Sequence, residues 1–227
     1  LSWVHRFLDG FLTLAEAHNT PLAGGDLAES SVVVADIVLV GAVPRGRALL
    51  RSGAKPGDVL YVTGTLGGAA VGLACLGELA SPARRNPPRI PKKLAARLAP
   101  HLYPHPRVTQ GLWLQGRGLV SAALDLSDGL STDLAHLCEE SGVAAEVDVA
   151  ALPLGLGATL EQALHGGEDY ELLFTAPSAA RLPRAIAGVS VTRIGRILKA
   201  RAGRPMMALI SLQGTETLKP RGWEHFS

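Results

Sequence analysis

The chain has 227 residues, 47% of them hydrophobic, with 22 Lys and Arg against 20 Asp and Glu and an aromatic content of 4%. That is apolar material for one large domain, or one domain plus part of another, while a net charge of +2 and so few rings offer neither the basic stripe nor the stacking platform of a nucleic-acid partner. No apolar run reaches the ~18 residues of a membrane span, and Leu1 to Leu14 is interrupted by His5, Arg6 and Asp9, so neither a membrane partner nor a signal peptide is expected.

In chain order, Trp3, Val4, Phe7, Leu8, Phe11, Leu12 and Leu14 recur at helical spacing, and Asn19-Thr20-Pro21 stops that helix near His18. The pattern is already under way at Leu1, so we expect an upstream segment outside this sequence. Gly24-Gly25-Asp26 follows, then a valine- and isoleucine-rich stretch over 31–43 with Asp36 as its one charge, read as a strand that ends at a seam, Pro44-Arg45-Gly46. A polar turn over 51–58 leads to a strand at Val59 to Thr63, the glycine loop Gly64 to Gly68 and an alanine-rich helix. That loop lacks the Gly-Lys-Ser/Thr ending of a P-loop and the spacing of a dinucleotide fingerprint. The proline-rich stretch 81–106, with Arg84, Arg85, Arg89, Lys92 and Lys93, reads as an exposed excursion of loop and short helix. A helix over 107–116 precedes a buried strand ending at Leu124, and a helix with Leu130, Leu134, Leu137 and Cys138 on its apolar face comes next. Strands follow at 144–149, 170–175, 189–197 and 206–212. Cys75 and Cys138 both fall on apolar helix faces without metal-ligand spacing, which fits a reducing cytoplasm.

The chemistry concentrates at the junction Asp125-Leu126-Ser127-Asp128-Gly129, where a strand hands over to a helix. A helix start offers free N–H groups and a positive dipole end to an anion, and paired carboxylates there can hold the magnesium that a phosphate brings. Ser127 or Asp128 could equally cap the helix. Asp125, at the end of an apolar strand, is costly unless paired or metal-bound. Gly24-Gly25-Asp26 and Gly166-Gly167-Glu168-Asp169 repeat the pairing of carboxylate with glycine at an element boundary. If the three loops converge, they supply hard oxygen ligands suited to transfer between two anionic molecules. Arg51, taken alone, reads as a solvated surface residue and Trp223 as a tail anchor. No His-x-His or His-Glu-x-x-His pattern and no Ser-His-Asp nucleophile motif is evident, so zinc and acyl-enzyme chemistry are not expected.

Taken together, Gly24-Gly25-Asp26, Arg51-Ser52-Gly53-Ala54-Lys55-Pro56-Gly57-Asp58, Asp125 to Leu130, Gly166 to Leu172 and Gly222-Trp223-Glu224-His225-Phe226 resemble, nearly end to end, the thiamine-monophosphate kinases of the aminoimidazole ribonucleotide synthetase superfamily. The resemblance implies an α+β fold: residues 1–46 as the end of an N-terminal ATP- and magnesium-binding, dimerising domain, and 47–227 as a complete C-terminal α+β domain. It implies ATP-dependent phosphorylation of thiamine monophosphate by direct in-line transfer with magnesium, in a cytoplasmic homodimer. Residue by residue it assigns magnesium to Asp26, Asp125 and Asp128, ATP to Gly25, Asp26, Arg51 and Ser127, and thiamine monophosphate to Glu168 and Trp223, with no protein nucleophile. Two departures stand out. Leu27 replaces the family's usual threonine, and the family's Gly-Asp-Asp loop, Ser-Thr-Asp strand and Asn-Leu-Ser-Asp helix all precede the region present here. The alternatives are a non-catalytic ligand-binding module or another ATP-dependent member of the superfamily, such as selenophosphate synthetase. A hydrogenase maturation protein of this fold would end in cysteine, whereas this chain ends His225-Phe226-Ser227.

Overall fold

The structure, a computed structural model, describes residues 2–79 and 90–223, and the chain divides into two compact units, Leu1–Val43 and Pro44–Ser227. In the first unit, α1 (Ser2–Ala17) carries the expected apolar repeat, with Trp3 stacked on Phe7 and Phe7 on Phe11 at centroid distances of 5.4 and 6.4 Å. None of its residues is buried. The strand expected over 31–43 is not formed: this stretch has no regular secondary structure and is exposed, Val40 by 91%. A strand exists only where a neighbour takes up its N–H and C=O groups. Among the described residues nothing pairs with it.

The second unit is built on a mixed sheet. Its strands are β1 (Val59–Thr63), β2 (Ala122–Asp125), β3 (Val143–Asp148), β4 (Leu172–Ala176), β5 (Ala185–Ile186), β6 (Val189–Lys199), β7 (Met207–Ser211) and β8 (Gly214–Thr217). They run in the order β2-β4-β1-β6-β3-β7-β8, with β5 beside β6. Every ladder is antiparallel except that of β3 with β7. The helices are α2 (Gly68–Leu79), α3 (Lys92–Leu102), α4 (Val108–Arg117), α5 (Leu130–Ser141) and α6 (Leu160–His165). None is long and apolar enough to cross a membrane.

Alternation along the strands divides the core in two. Leu60, Val62, Leu124, Leu173 and Ile194 join the buried face of α5, whose Leu130, Leu134, Leu137 and Cys138 sit where the helical spacing predicted them. Burying each leucine contributes ~1.5–3 kcal/mol. Ala123 and Phe174 face the other way, with Leu114 of α4 and Tyr61, which stacks on Phe174 across the β1–β4 register at 5.4 Å. Val71, Cys75 and Leu98 join α2 to α3 in a smaller cluster. Of the expected excursion, residues 90–106 contain α3, while Arg84, Arg85 and Arg89 lie outside the described residues. Strand β5, two residues paired with β6, was not foreseen, nor were two further elements. Helix α6 is announced only by the capping box Thr159–Gln162, and β8 is a four-residue exposed strand paired with β7.

Candidate functional site

The junction between β2 and α5 is held from inside the helix. Gly129 is the N-cap and offers no side chain. Instead the Asp133 carboxylate accepts the backbone N–H groups of Asp128 and Gly129 at 3.0 and 3.1 Å. Neither Ser127 nor Asp128 therefore caps α5, leaving both on the loop. The structure also relocates the costly acid. Asp125 is exposed at the end of β2, so no desolvation forces it to find a partner, whereas Asp133 is only 2% exposed. Burial pushes the Asp133 carboxyl up to about 6, the Asp128 and Asp125 charges add to that, and the two backbone N–H groups work against it.

The Gly166–Asp169 loop packs against this junction through its backbone. Glu168 N–H donates to the Ser127 carbonyl at 2.8 Å, Tyr170 N–H to Leu126 at 2.9 Å, and Leu126 N–H to Glu171 at 2.8 Å. The approach needs glycine at 167, because a Cβ there would lie 2.5 Å from the Ser127 oxygen. Glu168 and Tyr170 take positive φ values of 67° and 50°, a strained conformation for non-glycine residues. Asp169, between them, sends its carboxylate to the start of α2, where it accepts from Gly67 N–H at 2.6 Å and Ala69 N–H at 3.1 Å. The helix end that a phosphate-binding glycine loop would offer to a ligand is thus filled by the protein's own anion. Burial raises the Asp169 carboxyl to about 6 against the pull of those N–H groups. Beyond it, buried Glu171 is held bidentately by Arg107, with both contacts at 2.6 Å, and accepts from Thr63 at 2.7 Å. That hydrogen bond raises the Arg107 pKa, and burial opposes the shift. Glu168 lies 3.2 Å from His101 Nδ1.

The C-terminal tail then crosses the same junction. Arg221 N–H donates to Ser131 Oγ (3.3 Å), Gly222 N–H to Thr132 Oγ1 (3.0 Å) and Trp223 N–H to the Asp128 carbonyl (3.0 Å). Five of the expected site residues, Asp125, Ser127, Asp128, Glu168 and Trp223, therefore share one edge of the sheet. Arg51, in the same unit, does not join them there. The Arg51 carbonyl accepts from Ser141 Oγ at 3.2 Å, at the last residue of α5, and a twelve-residue helix is roughly 18 Å long. Gly25 and Asp26 belong to the first unit, where both are exposed and Asp26 accepts the N–H of Leu27 at 2.8 Å. Among the described residues no three His, Cys, Asp or Glu side chains gather into a cation site. Glu224, His225 and Phe226 of the closing motif lie outside the described residues. Asp169 was read only as an acid of the Gly166–Asp169 loop, and Asp133 and the Arg107–Glu171 pair were not singled out from the sequence. The one available signal was an acid in the first turn of a helix whose N-cap is glycine, and it identifies Asp133 alone.

Residues 55–207 match the family model described as AIR synthase related protein, C-terminal domain. The chain is 41% identical over 209 residues to the thiamine-monophosphate kinase of Salmonella typhimurium strain LT2, covering 86% of this chain and 61% of that protein. It is 37% identical over 238 residues to the thiamine-monophosphate kinase of Escherichia coli strain K12, covering 100% of this chain and 70% of that one. The solved structure of AaThiL complexed with AMPPCP and TMP superposes with a TM-score of 0.64 at 32% identity, over 78% of this chain and 54% of that one. The chain thus spans 61% and 70% of the length of these two curated relatives. Both glycine-acid loops and the tail that crosses them fall within the E. coli alignment, so sequence, fold and local geometry agree that the chain belongs to the thiamine-monophosphate kinase family.

Proposed function

We propose that this chain carries out ATP-dependent phosphorylation of thiamine monophosphate to thiamine diphosphate, in a cytoplasmic homodimer. The observation that carries this reading is the convergence at one sheet edge. Ser127 and Asp128, assigned to ATP and its metal, lie in backbone contact with Glu168 and Trp223, assigned to the thiamine phosphate, and Asp125 ends the strand that leads into them. Residues assigned to two anionic molecules thus lie side by side, which supports in-line transfer between them. A phosphate oxygen of thiamine monophosphate attacks the γ-phosphorus of ATP, a new P–O bond forms, the β–γ bridging bond breaks, and ADP leaves. No protein nucleophile is needed. Ser131 Oγ does meet His165 Nδ1 at 2.8 Å, but Ser131 is fully buried and no substrate can reach it.

Asp125 and Asp128 offer the hard carboxylate oxygens that magnesium prefers, and the resemblance adds Asp26 from the first unit. When bound, magnesium neutralises charge on the phosphates. The chain's own residues supply the frame: Asp133 fixes the backbone that carries Asp128, and Asp169 with Gly167 fixes that of Glu168. The exposed apolar stretch Val32 to Val40 is the surface we assign to dimerisation. The test is formation of thiamine diphosphate from thiamine monophosphate, ATP and magnesium, by this polypeptide beside a form extended upstream in its reading frame. Product from either form supports the reading. Binding of thiamine monophosphate without product in both forms supports a non-catalytic module instead, and neither binding nor product removes the thiamine assignment.

A further inference from the structure

We propose that Arg221 is a positioning residue for Trp223: by gripping His165 it holds the C-terminal tail flush against the Asp125–Gly129 loop and so sets the affinity for the thiamine phosphate. This rests on the reading of Trp223 given above. Three consecutive backbone N–H groups, of Arg221, Gly222 and Trp223, bond to Ser131, Thr132 and Asp128. Gly222 lies so close that a Cβ would collide with the Asp128 carbonyl and come within 2.7 Å of Thr132 Oγ1. The backbone therefore has one seat, and a shift there moves Trp223 and the Asp128 carbonyl together.

The Arg221 side chain anchors that seat. Its Nη2 lies 2.8 Å from His165 Nε2 and 2.9 Å from Glu161. A guanidinium only donates, so Nε2 carries the lone pair, and Nδ1 carries the proton and donates to Ser131 Oγ at 2.8 Å. The same Ser131 oxygen accepts the Arg221 N–H. Side chain and backbone of one residue thus close a ring through His165 and Ser131. The Glu161 end is solvent-exposed and adds little by itself. The His165 side chain, 9% exposed, makes the contact rigid, and burial together with the Arg221 charge lowers its pKa, keeping the imidazole neutral. Both contacts run through Nη2 alone, so lysine could keep the charge but would have to bring a strongly hydrated ammonium on a flexible stem to that same point.

The experiment compares R221A, R221K, W223A and wild type in the full-length protein, by steady-state kinetics and by amide hydrogen exchange at residues 221–223. For R221A we expect a rise of about tenfold in the KM for thiamine monophosphate, with kcat and the KM for ATP within about twofold. Exchange at the three tail amides accelerates about tenfold or more while α5 is unaffected. R221K falls between R221A and wild type. Unchanged tail exchange in R221A overturns the proposal. So does faster exchange with an unaltered KM while W223A raises that KM, which leaves the substrate role of Trp223 standing. If W223A itself leaves the KM unchanged, the reading of Trp223 fails and the role of Arg221 falls with it. A uniform loss of kcat with faster exchange throughout α5 overturns positioning in favour of a general structural role.

Discussion

Asp169→Asn isolates the energetics of the carboxylate that closes the start of α2. Burial raises the Asp169 carboxyl from 3.8 to about 6, and at about 1.36 kcal/mol per pK unit ionisation inside the fold costs about 3 kcal/mol more than in the unfolded chain. Because the folded pKa is the higher one, the folded state holds the proton more tightly. The contribution is complete below pH 3.8 and is lost as pH rises to and through about 6. Between pH 4.5 and 7 that loss amounts to about 2 kcal/mol. Asparagine keeps an acceptor for Gly67 N–H or Ala69 N–H, is a good helix cap, and does not titrate. Urea denaturation of both proteins at the two pH values should therefore show the wild-type advantage over the variant shrinking by about 2 kcal/mol as pH rises from 4.5 to 7. The subtraction removes the titration of every other carboxylate. An advantage constant within about 0.5 kcal/mol would refute the claim that Asp169 titrates as a buried anion at the helix start.

Asp125→Asn should reduce thiamine diphosphate formation by about 100-fold or more with a melting temperature within about 2 °C of wild type, since Asp125 is exposed. A large drop in melting temperature would reveal a structural acid. Arg107→Met should cost about 3–5 kcal/mol in urea denaturation, because it strands the Glu171 carboxylate, which is buried. Adding Glu171→Met should recover part of that loss, and a double variant no more stable than the single one would contradict the account. Cys138, whose thiol burial pushes up to about 12, and Cys75, also buried, should resist Ellman's reagent until the protein unfolds. Rapid labelling of either in the native state would show that their clusters open.

The legibility of this protein follows from the range of the forces involved. Helix α5 was readable because its leucines recur every three to four residues and the fold buries that same face. Strand β1 was readable because Val59 to Thr63 is a short, β-branched run bounded by turns. The stretch over 31–43 carries the same local signal without forming a strand, since pairing is supplied by a neighbour and never by the segment itself. The site divides the same way. Asp125, Ser127, Asp128, Glu168 and Trp223 were named from motifs, but the motif placed the buried acid at Asp125, and only the packed core shows that it is Asp133.

By itself, then, the sequence determined the family, most of the elements and the residue types that suit phosphate and magnesium, because these depend on periodicity and on chemistry written within a few neighbouring positions. The tertiary structure alone decided which loops meet. It carried Asp169, 102 residues on from Gly67, into the helix start that a phosphate would otherwise take. It also laid the tail at Gly222, 90 residues on from Thr132, across the opposite junction. Contacts at such separations depend on how the sheet closes around its core, and no local pattern of residues encodes them.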